Sequence, residues 1–218
     1  EAPVYVPAGG VAYLATAART LRSGRAYSMT VSAGDIIGGS PIVSALFLDE
    51  PTIMAMDLVG VEYNAVGNHE FDKGAAELVR MQRGGCEKHT TKQPCRLDPF
   101  PGAKFKFLAA NVLTPEGEPL FPGTAIKDLG PVQVGVIGMT LKETATLVTP
   151  AGIAGLTFAD EAATANAADP ALKAAGADAI VLLIHQGGRT KGGYNDKSCP
   201  ELSGDILPVI ERLDPAID

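Results

Sequence analysis

"VGNHEFDKG", residues 66–74, sets an amide, an imidazole and two carboxylates at Asn68, His69, Glu70 and Asp72. Two readings compete. Asn68 tolerates a left-handed backbone and Asp72 can cap a helix starting near Gly74, which makes a polar turn. The same side chains could also form the working edge of a metal site. The flanks narrow the question. "VEYNAVG" (61–67) reads as a buried strand, and "GAAELVRMQRGG" (74–85) as a helix closed by glycines. In a sheet built from such strand–turn–helix units, ligands lie beyond the carboxyl ends of the strands. The residues at the ends of the other strands therefore decide the reading.

Three other segments end in the same way. The buried stretch "AYSMTVSAG" (26–34) is followed by Asp35, "DAIVLLI" (178–184) by His185, and "FKFLAA" (105–110) by Asn111. Taken singly, each has a plain alternative: Asp35 as a turn or cap, His185 as a satisfied half-buried histidine, Asn111 as a strand-end cap. A shared metal site would explain them together if the strands run parallel. Carboxylate, amide oxygen and imidazole form a mixed O/N set suited to Mn, Fe, Co or Zn rather than to a thiolate-loving metal. Asn111 is carried as a candidate substrate-binding residue on this rim.

The remaining segments alternate between helix and strand. "GGVAYLATAARTLRSG" (9–24) predicts a helix with Val11, Leu14, Ala15, Ala18 and Leu21 on one face and Gly24 to stop it. "SPIVSALF" and "PTIMAMDLVG" suggest two short helices. "TAIKDLGPVQVGVIGMT" (124–140) suggests a hairpin turning at Gly130-Pro131. The Ala-rich run "FADEAATANAADPALKAAGA" is helical, with Pro170 interrupting or restarting it, and "SGDILPVIERLD" is a last helix. This order predicts an α/β fold with helices on both faces of the sheet.

The whole chain of 218 residues suffices for one sizeable core, and 46% apolar with 20% charged residues is ordinary globular composition. A net charge of −7, with no basic run, argues against a nucleic-acid polymer or an anionic membrane as partner. The longest apolar run, "AIVLLI", is far too short to span a bilayer. No leader is visible at Glu1, although a mature chain would have shed one. Cys86 and Cys95 bound one hydrophilic excursion, "CEKHTTKQPC", with little core to hold it. A disulfide between them is expected, and with it a periplasmic or secreted location. Cys199 is left over.

"AGD", "GNHEFD" and "LIHQGG", in this order on successive strands, together with "GGVAYLA" and "GGYNDKSCPELSGDI", resemble the calcineurin-like metallophosphoesterases, and within them the bacterial 5'-nucleotidases. The resemblance covers essentially the whole chain, read as one metallophosphatase domain over 1–218. It implies an α/β/β/α sandwich with two divalent metals between the sheets. Asp35 would bridge the metals, and Asn68 and His185 would ligate the second. His69 would donate a hydrogen bond to the phosphoryl group or leaving oxygen, with Asp72 orienting its ring. Glu70 and Phe71 are assigned to packing and local structure.

The resemblance also sets limits. The family opens with a strand carrying Asp-x-His and closes with a Gly-His-x-His strand. Here the chain begins at "EAPVYVPAGG" and stops at "LDPAID". The expectation is therefore a core incomplete at its N- and C-terminal strands and lacking the nucleotide-recognition domain. Such a fragment would bind metal weakly or not at all and be weakly active or inactive, and it could self-associate through exposed sheet edges. The full-length protein would hydrolyse phosphomonoesters, most simply 5'-nucleotides. Alternatives are phosphodiesters or nucleotide sugars, and, in a different class, a non-catalytic binding module.

Overall fold

The computed structural model describes residues 9–193 and 196–218. Residues 1–8, and Tyr194 and Asn195 within "GGYNDKSCPELSGDI", lie outside the described residues. The elements run, in chain order, α1 (Val11–Arg22), β1 (Val31–Ser32), α2 (Ile42–Ala45), α3 (Glu50–Val59), β2 (Tyr63–Ala65), α4 (Ala75–Arg83), β3 (Lys106–Leu108), β4 (Val112–Leu113), β5 (Thr124–Asp128), β6 (Gln133–Thr140), α5 (Thr144–Leu147), β7 (Thr157–Phe158), α6 (Glu161–Ala174), β8 (Ala179–His185) and α7 (Ile206–Ile210). A single 3-10 turn, His69–Phe71, lies between β2 and α4.

The strands form two principal sheets. β1, β2 and β3 are parallel, in that order. β5 and β6 form the antiparallel hairpin expected at Gly130-Pro131, and β8 joins β6 in parallel. β2 and β3 pack against β6, so the sheets lie face to face. They approach closely where Gly138 of β6 meets β3: a Cβ there would come within 2.3 Å of the Leu108 Cβ. A small antiparallel pair, β4 with β7, lies apart from both. The four strand ends expected on one sheet rim therefore divide between two facing sheets; those of β1, β2 and β8 meet across the gap, while Asn111 beyond β3 is buried away from them.

One core lies under α3 and α4 and holds Phe71, Phe105, Phe107, Phe121 and Phe158. Phe71 meets Phe158 edge-on at 5.5 Å between ring centroids, a favoured aromatic geometry. A second cluster, including Ala65, Leu108, Val136 and Leu183, fills the space between the sheets.

Several sequence expectations need adjustment. In α1 only Ala15 and Ala18 pack on the core, while Val11, Leu14 and Leu21 are exposed. Pro170 interrupts nothing. α6 runs straight through it, anchored at its start by the Asp160 carboxylate, which accepts the Ala163 N–H at 2.9 Å. Self-association through sheet edges gains no support. β1 and β3, which edge the first sheet, are two and three residues long, too short to template pairing. The edge of β8 is partly covered by Asp218, whose N–H donates to the Ile180 carbonyl at 2.7 Å and whose carboxylate accepts the Ile180 N–H at 3.3 Å. No helix among the described residues is long and apolar enough to cross a membrane.

Candidate active site

Three strand ends build the site. β1 runs out through Ala33 and Gly34 to Asp35. β2 runs out through Val66 and Gly67 to Asn68 and the turn holding His69. β8 ends on His185. The two glycines are required by close approach. A Cβ on Gly67 would stand 2.2 Å from Asp35 Oδ1, and one on Gly34 would stand 2.8 Å from both the Gly67 nitrogen and His185 Nδ1. Gly34 also has φ +103°, which disfavours any side chain. Asp35 itself has φ +57°, the left-handed region that Asp visits only occasionally.

Asp35 and His185 face each other across the two sheets, with His185 Nε2 3.0 Å from Asp35 Oδ2. His185 Nδ1 lies 2.8 Å from the Ala33 carbonyl, which can only accept, so Nδ1 carries the proton. In a neutral ring the Nε2 lone pair then points at a carboxylate oxygen. Two acceptors at that distance need a proton or a cation between them. The Asp35 hydrogen bond holds the imidazole above its ordinary pKa, against the opposing effect of burial. Burial would raise the Asp35 carboxyl, but hydrogen bonds from His185 and the His69 N–H outweigh it and hold the group low.

The same arrangement fits a divalent cation. The ring is locked in the tautomer that offers Nε2, the carboxylate is ionised, and Asn68 lines a cleft of about 250 Å3 with Ala33, Leu141, Ile184 and His185. The donor set is thin. Among the described residues no three His, Cys, Asp or Glu side chains gather closely enough to hold a metal by themselves.

His69 is wired differently. Its Nδ1 lies 2.9 Å from Asp72 Oδ2, and that oxygen also accepts the Gly39 N–H at 3.1 Å. Its own backbone N–H donates to Asp35 Oδ1 at 3.0 Å, which ties the two pairs together. The Asp72 hydrogen bond raises the imidazole pKa, only partly offset by burial, and so favours the imidazolium. The side chain is 46% exposed. A cavity of about 370 Å3 adjoins this pair. It is lined by Asp72 and Lys73 and, across from them, by His89, Thr90, Thr91 and Lys92.

Two residues stand differently from the sequence reading. Asn111 is fully buried, and its amide donates to the Thr140 and Ala159 carbonyls and accepts the Thr140 N–H. It fastens β6 to the segment after β3 and has no open face for substrate, so the substrate-binding expectation is set aside. Glu70 does more than pack. It is 2% exposed, and its carboxylate accepts the N–H groups of Asp35, Ile36 and Gly67. Burial pushes its pKa up to about 7, against the pull of those donors. Nothing in the sequence marked it beyond its place between His69 and Phe71.

The expected disulfide is formed between Cys86 and Cys95, with Cα atoms 5.5 Å apart. Beneath it lies a buried cluster. Arg80 pairs with Glu77 and Glu50 and donates to the Gly85 carbonyl, and Glu50 accepts the Cys95 N–H. Cys199 is free and exposed.

Known proteins are similar to this chain in sequence and in structure. Endonuclease YhcR of Bacillus subtilis is 34% identical over 211 residues, covering 96% of this chain and 16% of that protein. A snake venom 5'-nucleotidase of Gloydius brevicauda is 32% identical over 187 residues, covering 82% of this chain and 28% of the enzyme. The crystal structure of a 5'-nucleotidase precursor from Thermus thermophilus superposes with a TM-score of 0.65 at 26% identity, covering 82% of this chain and 32% of that one. The chain belongs to the calcineurin-like phosphoesterases of the 5'-nucleotidase family. No family model matches the sequence. Membership agrees with the mixed α/β architecture and with a hydrolase lineage. The chain spans well under two thirds of these relatives, so what the whole proteins act on belongs to proposal.

Proposed function

We propose that this chain carries the metal-binding half of a phosphohydrolase acting on phosphomonoesters, with 5'-nucleotides as the favoured substrates. The observation that carries the reading is the linkage of two histidine–carboxylate pairs through one residue. Asp35 touches His185 with one oxygen and the His69 N–H with the other. Asp35, Asn68 and His185 would hold divalent metal, and two such ions would complete the site in the full-length protein. When bound, the metal supplies Lewis acidity toward the phosphoryl group.

The chain's own residues do the rest. His69, held as imidazolium by Asp72, would donate from Nε2 to a phosphoryl or leaving-group oxygen. Asp72, itself held by the Gly39 N–H, orients the ring through Nδ1. The cavity beside Asp72 would give room for the body of the ester. A periplasmic or secreted location fits the Cys86–Cys95 disulfide.

The test is His69→Asn in the longest natural chain that contains these residues. Metal content should hold while phosphomonoester hydrolysis falls by about 100-fold or more, the range for loss of a general acid. Unchanged hydrolysis would refute the role. A phosphodiesterase is the second reading, favoured by the likeness to an endonuclease over nearly the whole chain. Product analysis on nucleoside monophosphates and dinucleotides separates the two.

A further inference from the structure

We infer that Glu70 is a positioning residue that sets the spacing of the two loops carrying Asp35 and Asn68, and so governs metal affinity. The inference rests on the reading that those residues hold metal. Oε2 accepts from Asp35 N at 2.9 Å and Gly67 N at 2.6 Å, and Oε1 accepts from Ile36 N at 2.9 Å. One carboxylate thus joins the turn after β1 to the turn after β2. No lysine or arginine pairs with it among the described residues. Its partners are backbone donors alone.

The positions of those donors matter. Asp35 N and Ile36 N lie at the start of Asp35 and just after it, and Asp35 has φ +57°. Residues in this sparsely populated region persist only when their surroundings hold them there. Glu70 grips the backbone on both sides of Asp35. The rest of the loop is held in the same way, since Gly38 N donates to Asp49 and Gly39 N to Asp72. Of these carboxylates, Glu70 is the one that accepts backbone N–H groups from both loops, at Asp35, Ile36 and Gly67. Without it, Asp35 could relax toward ordinary backbone angles and carry its carboxylate away from His185.

Glu70→Gln keeps the size and halves the acceptor capacity. One amide oxygen cannot serve three donors, and the new NH2 faces an N–H. Two measurements on the whole chain test the idea: Mn2+ titration calorimetry, and amide hydrogen exchange by NMR. Mn2+ affinity should fall tenfold or more, and the Asp35, Ile36 and Gly67 amides should exchange at least tenfold faster. Ile53→Val, a core change away from the site, serves as the control and should leave both unchanged. If Glu70→Gln fails to fold, Glu70→Asp, which shortens the reach by one methylene, is read in its place.

Wild-type-like Mn2+ affinity in the Glu70 variant would overturn the inference, as would an equal loss in the Ile53 control. If the chain takes up no Mn2+, exchange at the three amides decides alone, and unchanged rates overturn it. A protein that binds Mn2+ in this Glu70-dependent way yet hydrolyses no phosphoester would refute the proposed function and leave the inference standing.

Discussion

His185 and His69 each lie against an aspartate, yet the two rings are joined to the protein through different nitrogens. His185 gives its Nδ1 proton to the Ala33 carbonyl and turns Nε2 toward Asp35. His69 gives Nδ1 to Asp72 and turns Nε2 outward. The first arrangement sets Nε2 against a carboxylate across a gap between two sheets, where a proton or a cation must lie between them. The second favours a charged donor on a partly exposed turn. The same two residue types therefore suit opposite tasks, and the partner at Nδ1 decides which.

The largest expected effect comes from breaking the first pair. His185→Ala should abolish measurable divalent-metal binding and hydrolysis together, because Asp35 and Asn68 alone make too thin a donor set. Retained binding, read by calorimetry, would remove His185 from the metal. His69→Asn should come next, separating the roles by lowering kcat about 100-fold or more with metal content intact.

Asp72→Asn sharpens the contrast through pH. Its carboxylate holds the His69 pKa up, so removing it should let that value fall toward its ordinary 6.5. The alkaline limb of the kcat profile should then move to lower pH, and an unmoved limb would contradict the assignment.

Stability of the metal-free protein should reflect the same wiring. The raised histidine values stabilise fully below about pH 6.5, and that contribution is lost as pH rises through the folded values. Asp35 works in the other direction, with its contribution present above its unfolded value of 3.8 and lost as pH falls through the lowered folded one. Glu70, raised to about 7, adds to the loss between the ordinary carboxylate range and neutrality. Melting temperature should therefore peak on the acid side of neutral, and a peak above pH 8 would show that these groups do not dominate.

The smallest effect on the site should come from Cys86→Ser with Cys95→Ser. Opening a loop of sequence separation 9 should cost about 2 kcal/mol of stability. Metal affinity should stay unchanged, since Arg80, Glu77 and Glu50 still anchor the loop's base. A tenfold loss of affinity would tie the loop to the site.

Much of this was legible in the sequence, for physical reasons. α3, with Pro51 in its first turn and Gly60 at φ +86°, carries its own start and stop signals. β8 is a long apolar run whose end is fixed by a histidine and two glycines. Asp35, Asn68 and His185 could be picked out because each lies at or just past the end of a strand, and His69 and Asp72 because they share the turn that begins at Asn68. What could not be read depends on tertiary partners. The division of the strands between two sheets is set by packing at Gly138 and Leu108, which lie 30 positions apart in the chain. Glu70 could be assigned only to packing and local structure because its three donors come from the backbone, and backbone amides leave no trace in a sequence. Asn111 looked like a rim residue because its distance from the strand end was right, while its burial against Thr140 and Ala159 was invisible. The Arg80 cluster was hidden for the same reason, with Glu50 thirty residues away from its partner.

The most direct test uses the scarcity of histidine. The chain has 3, at positions 69, 89 and 185, so nitrogen-15 NMR can follow every ring at once. On titration with Zn2+, His185 Nε2 alone should shift to a metal-bound value while its Nδ1 keeps its proton. His69 should stay an Asp72-paired ring with its nitrogens off the metal. Coordination by His69, or no response from His185 at saturating Zn2+, would contradict the division of roles between the two rings.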